Sequence, residues 1–132
     1  MRKNNVSVLR FLSCLVLIVP ILAASAAAQK VSLLEAEQKL RSLGYWITKA
    51  DGRADASTRH AITAFQKVEG LKRTGVLTAA VMEALRTADR PAARHSGPAH
   101  VEIDISRQIL FVVNEQGEVE FVLPVSSGNE AK

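Results

Sequence analysis

The sequence predicts an α+β protein that consists of a small three-helix bundle, a linker and an incomplete antiparallel β-meander. Apolar residues recur at helical spacing in three segments between residues 33 and 86, whereas after residue 100 they alternate with polar residues at a period of two. Residues 89–99 contain two prolines and a glycine and show no apolar period, which is typical of a linker. The predicted organisation is therefore a leader at 1–28, a helical domain at 29–88, a linker at 89–99 and a β segment at 100–132.

Capping residues and glycines set the predicted ends of the helices. The predicted N-caps are, in chain order, Ser32, either Asp55 or Ser57, and Thr78. Gly44 supplies the left-handed residue that ends the first helix, which we expect over about residues 33–43, and Gly70 ends the second. A bundle of three such helices is small but within the size that can fold alone.

The β segment begins with the alternating apolar residues Val101, Ile103 and Ile105. Two further strands follow, over residues 109–113 and 119–125. Their apolar side chains need a covering layer that the chain up to Lys132 does not supply, so we expect a fragment of a larger sheet. We also expect that removing residues 99–132 leaves the unfolding of the helical part almost unchanged.

Residues 1–28 have the three parts of a secretory signal peptide, namely a positive start, an apolar run and small residues at the end. We expect cleavage after Ala26 or Ala28, no stable membrane insertion afterwards, and a location in the periplasm or cell wall. The alternative is an uncleaved anchor, since residues 11–28 are just long enough to span a bilayer. Cys14 is the single cysteine of the sequence, so the predicted mature chain has no thiol.

The charge balance argues against nucleic-acid binding. The chain has 17 Lys and Arg against 13 Asp and Glu, and three of those cations lie in the acid-free leader. The remainder is nearly neutral, and a nucleic-acid interface needs a denser basic face. Neither a metal site nor a cofactor is predicted, because His95 and His100 have no cysteine or cluster of carboxylates beside them.

Several short motifs occur together in the helical part: LRSLGY at 40–45, DG at 51–52, AITAFQ at 61–66 and TG at 74–75. With these motifs, residues 33–86 resemble the three-helix type of peptidoglycan-binding domain found on many bacterial wall hydrolases and transpeptidases. That family usually has Leu-Gln where this chain has Ala36-Glu37. The resemblance implies peptidoglycan, either its glycan or its stem peptide, as the partner.

A second set of motifs lies in the β segment: VEIDISRQ at 101–108, LFVV at 110–113 and PVSSG at 124–128. Residues 100–128 are similar to the opening strands of the L,D-transpeptidase catalytic domain. That family transfers acyl groups with a cysteine nucleophile and a histidine in a downstream motif, which this sequence does not contain. No catalytic residue is therefore carried over.

Six side chains are candidates for ligand binding because they are aromatic, charged or amide groups in and around the second helix. They are Tyr45, Trp46, Asp51, Arg53, Arg59 and Gln66. Aromatic faces can stack on sugars, and guanidinium groups attract the carboxylates of peptide stems. The alternatives are that the aromatics complete a small core, that Asp51 belongs to a turn, that the arginines are simply solvated, and that Gln66 ties a helix to a loop.

The sequence therefore predicts an exported, non-catalytic peptidoglycan-binding protein. We expect a monomer, with the open β segment as the route to any self-association. The alternative prediction is the N-terminal fragment of an L,D-transpeptidase that cross-links peptidoglycan by cysteine acyl transfer, with its catalytic segment after Lys132.

Overall fold

The computed structural model describes residues 32–126 and 128, in which three helices precede one three-stranded sheet. The helices are α1 at residues 32–42, α2 at Ala56–Val68 and α3 at Ala79–Thr87. The strands are β1 at His100–Asp104, β2 at Ile109–Val113 and β3 at Val119–Pro124. This arrangement confirms the predicted α+β class. The predicted signal peptide lies outside the described residues, and within them no helix has the length and hydropathy needed to span a membrane.

Local chemistry positions α2 and α3 as the sequence predicts, whereas Ser32, the predicted N-cap of the first helix, is itself a helical residue of α1. The Asp55 carboxylate caps α2 by accepting a bond from the Thr58 N–H at 2.8 Å, and the Thr78 hydroxyl caps α3 by accepting one from the Val81 N–H at 3.3 Å. After α1, Gly44 has a φ of +91°, and a Cβ there would lie 3.3 Å from the Glu120 carbonyl oxygen. Glycine is therefore needed both for the left-handed turn and for the close approach of strand β3.

The sheet is an antiparallel meander in the order β1-β2-β3. Phe111 in the central strand pairs with Glu102 on one side and with Val122 on the other, and all three side chains are buried. On the opposite face Val101 and Ile103 are 59% and 57% exposed. The sheet therefore has one covered face and one exposed apolar face, and the strand β1 places its two acids, not its valine and isoleucine, on the covered one.

The covering layer of the sheet is the helical part itself. The buried residues of the helices and of the sheet form a single hydrophobic cluster that includes Leu40, Phe65 and Phe111. The backbone also joins the two parts, since the Val122 N–H donates to the Gly44 carbonyl at 2.8 Å and the Trp46 N–H donates to the Val122 carbonyl at 3.3 Å. The expectation of an uncovered apolar sheet is therefore wrong for this face.

Lys67 at the end of α2 adds a further link between the helices and the sheet. Its ammonium group donates to the carbonyl oxygens of Gln108 at 3.1 Å and Val125 at 2.8 Å. Burial, and secondarily the charge of Arg73, lower the pKa of the Lys67 ammonium. The predicted domain boundaries at residues 88 and 100 remain a prediction. Because the helices and the sheet share one core, we now expect the helical part to unfold together with the sheet.

Residues 89–99 contain no helix or strand, yet polar contacts fasten them to both parts. The Arg90 guanidinium donates to the carbonyl oxygens of Ser42 and Val119, each at 2.7 Å. The backbone N–H groups of Arg94 and His95 donate to the Glu102 carboxylate at 2.9 to 3.0 Å. The linker is thus attached to both parts and supplies hydrogen-bond donors for Glu102 on the covered face of the sheet.

Candidate functional site

A groove of about 760 Å³ lies between the start of α1, the turn at residues 52–54, the exposed side of α2 and the segment that leads into α3. Its lining is mostly aliphatic, and the two charged residues in it are Arg53 and Arg59. Both arginines are exposed. The groove is therefore an open, largely apolar depression with cationic groups at its rim.

Gln66 builds one wall of this groove by holding the segment at residues 74–76. Its side-chain carbonyl accepts bonds from the N–H groups of Thr74 at 2.8 Å and Gly75 at 2.9 Å. Its amide nitrogen donates to the Thr74 hydroxyl at 3.0 Å and to the Val76 carbonyl at 3.3 Å. The side chain is buried and its amide is hydrogen-bonded to this segment, so Gln66 links α2 to the loop and does not face the groove.

Glu37 lies behind the groove and holds the turn at residues 51–52, of which Gly52 lines the groove; sequence reasoning did not select Glu37 as a site residue. One of its carboxylate oxygens accepts bonds from the N–H groups of Asp51 at 2.9 Å and Gly52 at 2.8 Å, and the other accepts a bond from the Thr58 hydroxyl at 2.7 Å. The side chain is fully buried. An acid placed between Leu33 and Leu40 on the apolar stripe of α1 is the sequence signal that could have found it.

The turn that Glu37 holds contains two of the predicted ligand residues. Asp51 accepts a bond from the Arg53 N–H at 3.1 Å and forms an ion pair with Lys49 at 3.2 Å. This is the geometry of a turn-stabilising aspartate. Arg53 projects from the same turn into the lining of the groove, and Arg59 on α2 joins it there, donating one bond to the Ala54 carbonyl at 3.3 Å.

The two predicted aromatic ligands lie away from the groove. Tyr45 is 2% exposed, and its ring packs edge-on against Phe65 with centroids 5.7 Å apart. Burial, reinforced by the charge of Glu69, raises the pKa of the Tyr45 hydroxyl well above its ordinary value. Trp46 is 45% exposed, but it packs against Phe121 of the sheet at a centroid distance of 5.1 Å. Of the six predicted residues, the groove brings together Arg53 and Arg59 only.

The side chains that line the groove suit non-covalent binding. Its described lining residues include the hydroxyls of Ser32, Thr58 and Thr78 and no acid, histidine or cysteine. Across residues 32–126 and 128, no three His, Cys, Asp or Glu side chains form a group that could hold a metal ion. Aliphatic walls and two guanidinium groups can instead bind a ligand that combines apolar and anionic groups.

Two comparisons with known proteins found similarities, one to the helical part and one over most of the chain. Residues 30–85 match the family model described as "Putative peptidoglycan binding domain". This confirms the resemblance of the helical part. No curated protein sequence matches the chain significantly.

A solved structure of an L,D-transpeptidase from Xylanimonas cellulosilytica resembles the chain, with 42% sequence identity and a TM-score of 0.69. The match covers 75% of this chain, which is more than the helical part alone accounts for, and 48% of the crystallised chain, which comprises residues 123–326 of that enzyme. Together the two matches confirm the predicted composite resemblance, to a peptidoglycan-binding domain followed by L,D-transpeptidase strands. The chain spans about half the length of that structure.

Proposed function

We propose that this chain binds peptidoglycan through the groove of its helical domain and performs no acyl transfer by itself. The observation that carries the proposal is the coincidence of the matched peptidoglycan-binding domain at residues 30–85 with an apolar groove bordered by Arg53 and Arg59. The lack of catalysis is supported by the sequence, in which the single cysteine, Cys14, lies in the predicted signal peptide.

Export to the periplasm or cell wall belongs to the same proposal. The tripartite leader at residues 1–28 supports it, and so does the cell-wall context of both similarities. A protein that binds peptidoglycan has to be on the outer side of the inner membrane to reach its ligand.

Co-sedimentation with purified sacculi at moderate salt tests the proposal. Residues 29–132 should pellet with sacculi, and the double variant Arg53→Gln/Arg59→Gln should bind about tenfold more weakly because it loses two charge-assisted contacts. The matched control is the double variant Lys72→Gln/Arg86→Gln, which also removes two positive charges. Lys72 is exposed, Arg86 forms an exposed ion pair with Glu83, and both lie outside the groove lining. Failure of the unmodified chain to pellet would refute the proposal. Equal losses of sacculus binding in the double variant and the control would show that the groove is not the binding site.

A second candidate is that the chain is the N-terminal part of an L,D-transpeptidase. The similarity to the Xylanimonas cellulosilytica enzyme, of whose crystallised chain this match covers 48%, favours it. The nucleophile would then lie outside the present sequence. Intact mass spectrometry of the native product, captured with an antibody against residues 31–90, separates the two candidates. A species of about 11 kDa, the mass left after signal removal, supports the binding protein. A much heavier species supports the enzyme.

A further inference from the structure

The charge of the groove is one-sided. Arg53 and Arg59 are exposed at its rim, and no acidic side chain lies among its described lining residues. In the described part of the chain neither guanidinium forms an ion pair with a carboxylate, whereas Arg86, Arg94 and Arg107 do. Two cations without a neutralising partner at one rim favour an anionic ligand.

The interior of the groove is aliphatic. Leu33, Ile62, Leu77 and Met82 contribute to it, and no aromatic side chain lines it among the described residues. Aliphatic walls hold methyl and methylene groups by dispersion, while flat sugar rings are held best on aromatic faces. The exposed aromatic residue Trp46 packs instead against Phe121 of the sheet.

We infer that the groove recognises the carboxylate-bearing stem peptide of peptidoglycan and not its glycan strand. The inference rests on the proposed function and identifies the part of the polymer that is bound. Stem peptides combine free carboxylates with short aliphatic side chains, which match the rim and the walls respectively. The amino sugars of the strand offer neutral hydroxyl and acetamido groups, for which the groove has no stacking surface.

Separate soluble ligands provide the first test. Residues 29–132 are co-sedimented with intact sacculi. By calorimetry they are titrated with a synthetic alanyl-γ-glutamyl-diaminopimelyl-alanine tetrapeptide and with a neutral tetrasaccharide of N-acetylglucosamine. We expect binding to the intact sacculi and to the tetrapeptide, and at least tenfold weaker binding to the tetrasaccharide. Co-sedimentation with sacculi but binding to the tetrasaccharide as tight as to the tetrapeptide, or no binding to the tetrapeptide, overturns the inference while the proposed function stands. Absence of binding to all three overturns both.

Val76 provides a second test within the chain. This side chain lines the groove and is 56% exposed, so polar substitutions there do not disturb the core. Val76→Asp and Val76→Asn have the same shape and differ in one negative charge. Repulsion of a carboxylate ligand should weaken tetrapeptide binding by about tenfold in Val76→Asp relative to Val76→Asn. Equal affinities of the two variants would show that no carboxylate enters the groove, provided that both have the circular dichroism spectrum of the unmodified chain.

Discussion

Phe111 is the residue through which the sheet and the helices are most directly tested as one folding unit. It lies in the central strand β2, is fully buried, and belongs to the hydrophobic cluster that also contains Leu40 and Phe65 of the helices. Truncation of a buried phenylalanine to alanine removes its apolar contacts and leaves a cavity, which costs about 3–5 kcal/mol. The total unfolding free energy of a domain of this size is about 5–14 kcal/mol, so Phe111→Ala should remove a large share of it.

If the core is shared, this loss affects the helices as well as the strands. A domain of 60–100 residues loses about 4–8 °C in melting temperature per kcal/mol, so we expect the helical signal of Phe111→Ala to melt at least about 12 °C below that of the unmodified chain. Thermal unfolding of residues 29–132, followed by far-ultraviolet circular dichroism, measures it. Fluorescence of Trp46, the single tryptophan, reports the junction between the parts, and both signals should change together.

Ile103→Ala is the matched control for this experiment. Ile103 lies in the neighbouring strand β1 but points to the exposed face and is 57% accessible, so its truncation should shift the melting temperature by only a few degrees. The reasoning is refuted if the helical transition of Phe111→Ala stays where that of the unmodified chain is. In that case the helical part and the sheet unfold separately, as the sequence pattern alone had indicated.

Three further predictions concern the walls of the groove, the acids of the sheet and the aromatic side chain outside the groove. Glu37→Ala leaves the partly buried N–H groups of Asp51 and Gly52 without their acceptor and should cost about 2–4 kcal/mol in urea unfolding. Glu37→Gln keeps an acceptor oxygen for this turn and should cost less than about 1 kcal/mol. Similar losses in both variants would contradict this account. Hydrogen bonds from Ser106 and Arg107 hold the pKa of Asp104 in the folded state below its ordinary value of 3.8. The unfolded state therefore binds a proton more readily, and the melting temperature should fall as the pH drops below 3.8. The slope of melting temperature against pH should be smaller in Asp104→Asn. Identical acid slopes in the two proteins would argue against that role. Trp46→Ala should retain sacculus binding because the indole lies outside the groove lining, and a loss as large as that of the arginine double variant would relocate the site.

The helix and strand positions were predictable from the sequence because short-range chemistry sets them. Asp55 and Thr78 are caps in the structure for the same reason that they are caps in the sequence: each has an oxygen within reach of the backbone N–H three residues further on. Arg53 and Arg59 could likewise be placed near one another, since they belong to a turn and to the helix that directly follows it.

The tertiary structure alone decided which faces are buried and which candidate residues meet. A period of two in β1 places Val101 and Ile103 on one face and Glu102 on the other, but it does not show which face is turned to the helices. Glu102 can be on the buried face because backbone N–H groups of the linker donate hydrogen bonds to its carboxylate. The amide of Gln66 and the ring of Tyr45 have the chemistry of ligand-binding groups and are nevertheless buried, because a loop in one case and the core in the other supplies their contacts. The sequence thus determined the elements and the two families that the chain resembles, whereas long-range packing determined the shared core and which two of the six candidate side chains line the groove.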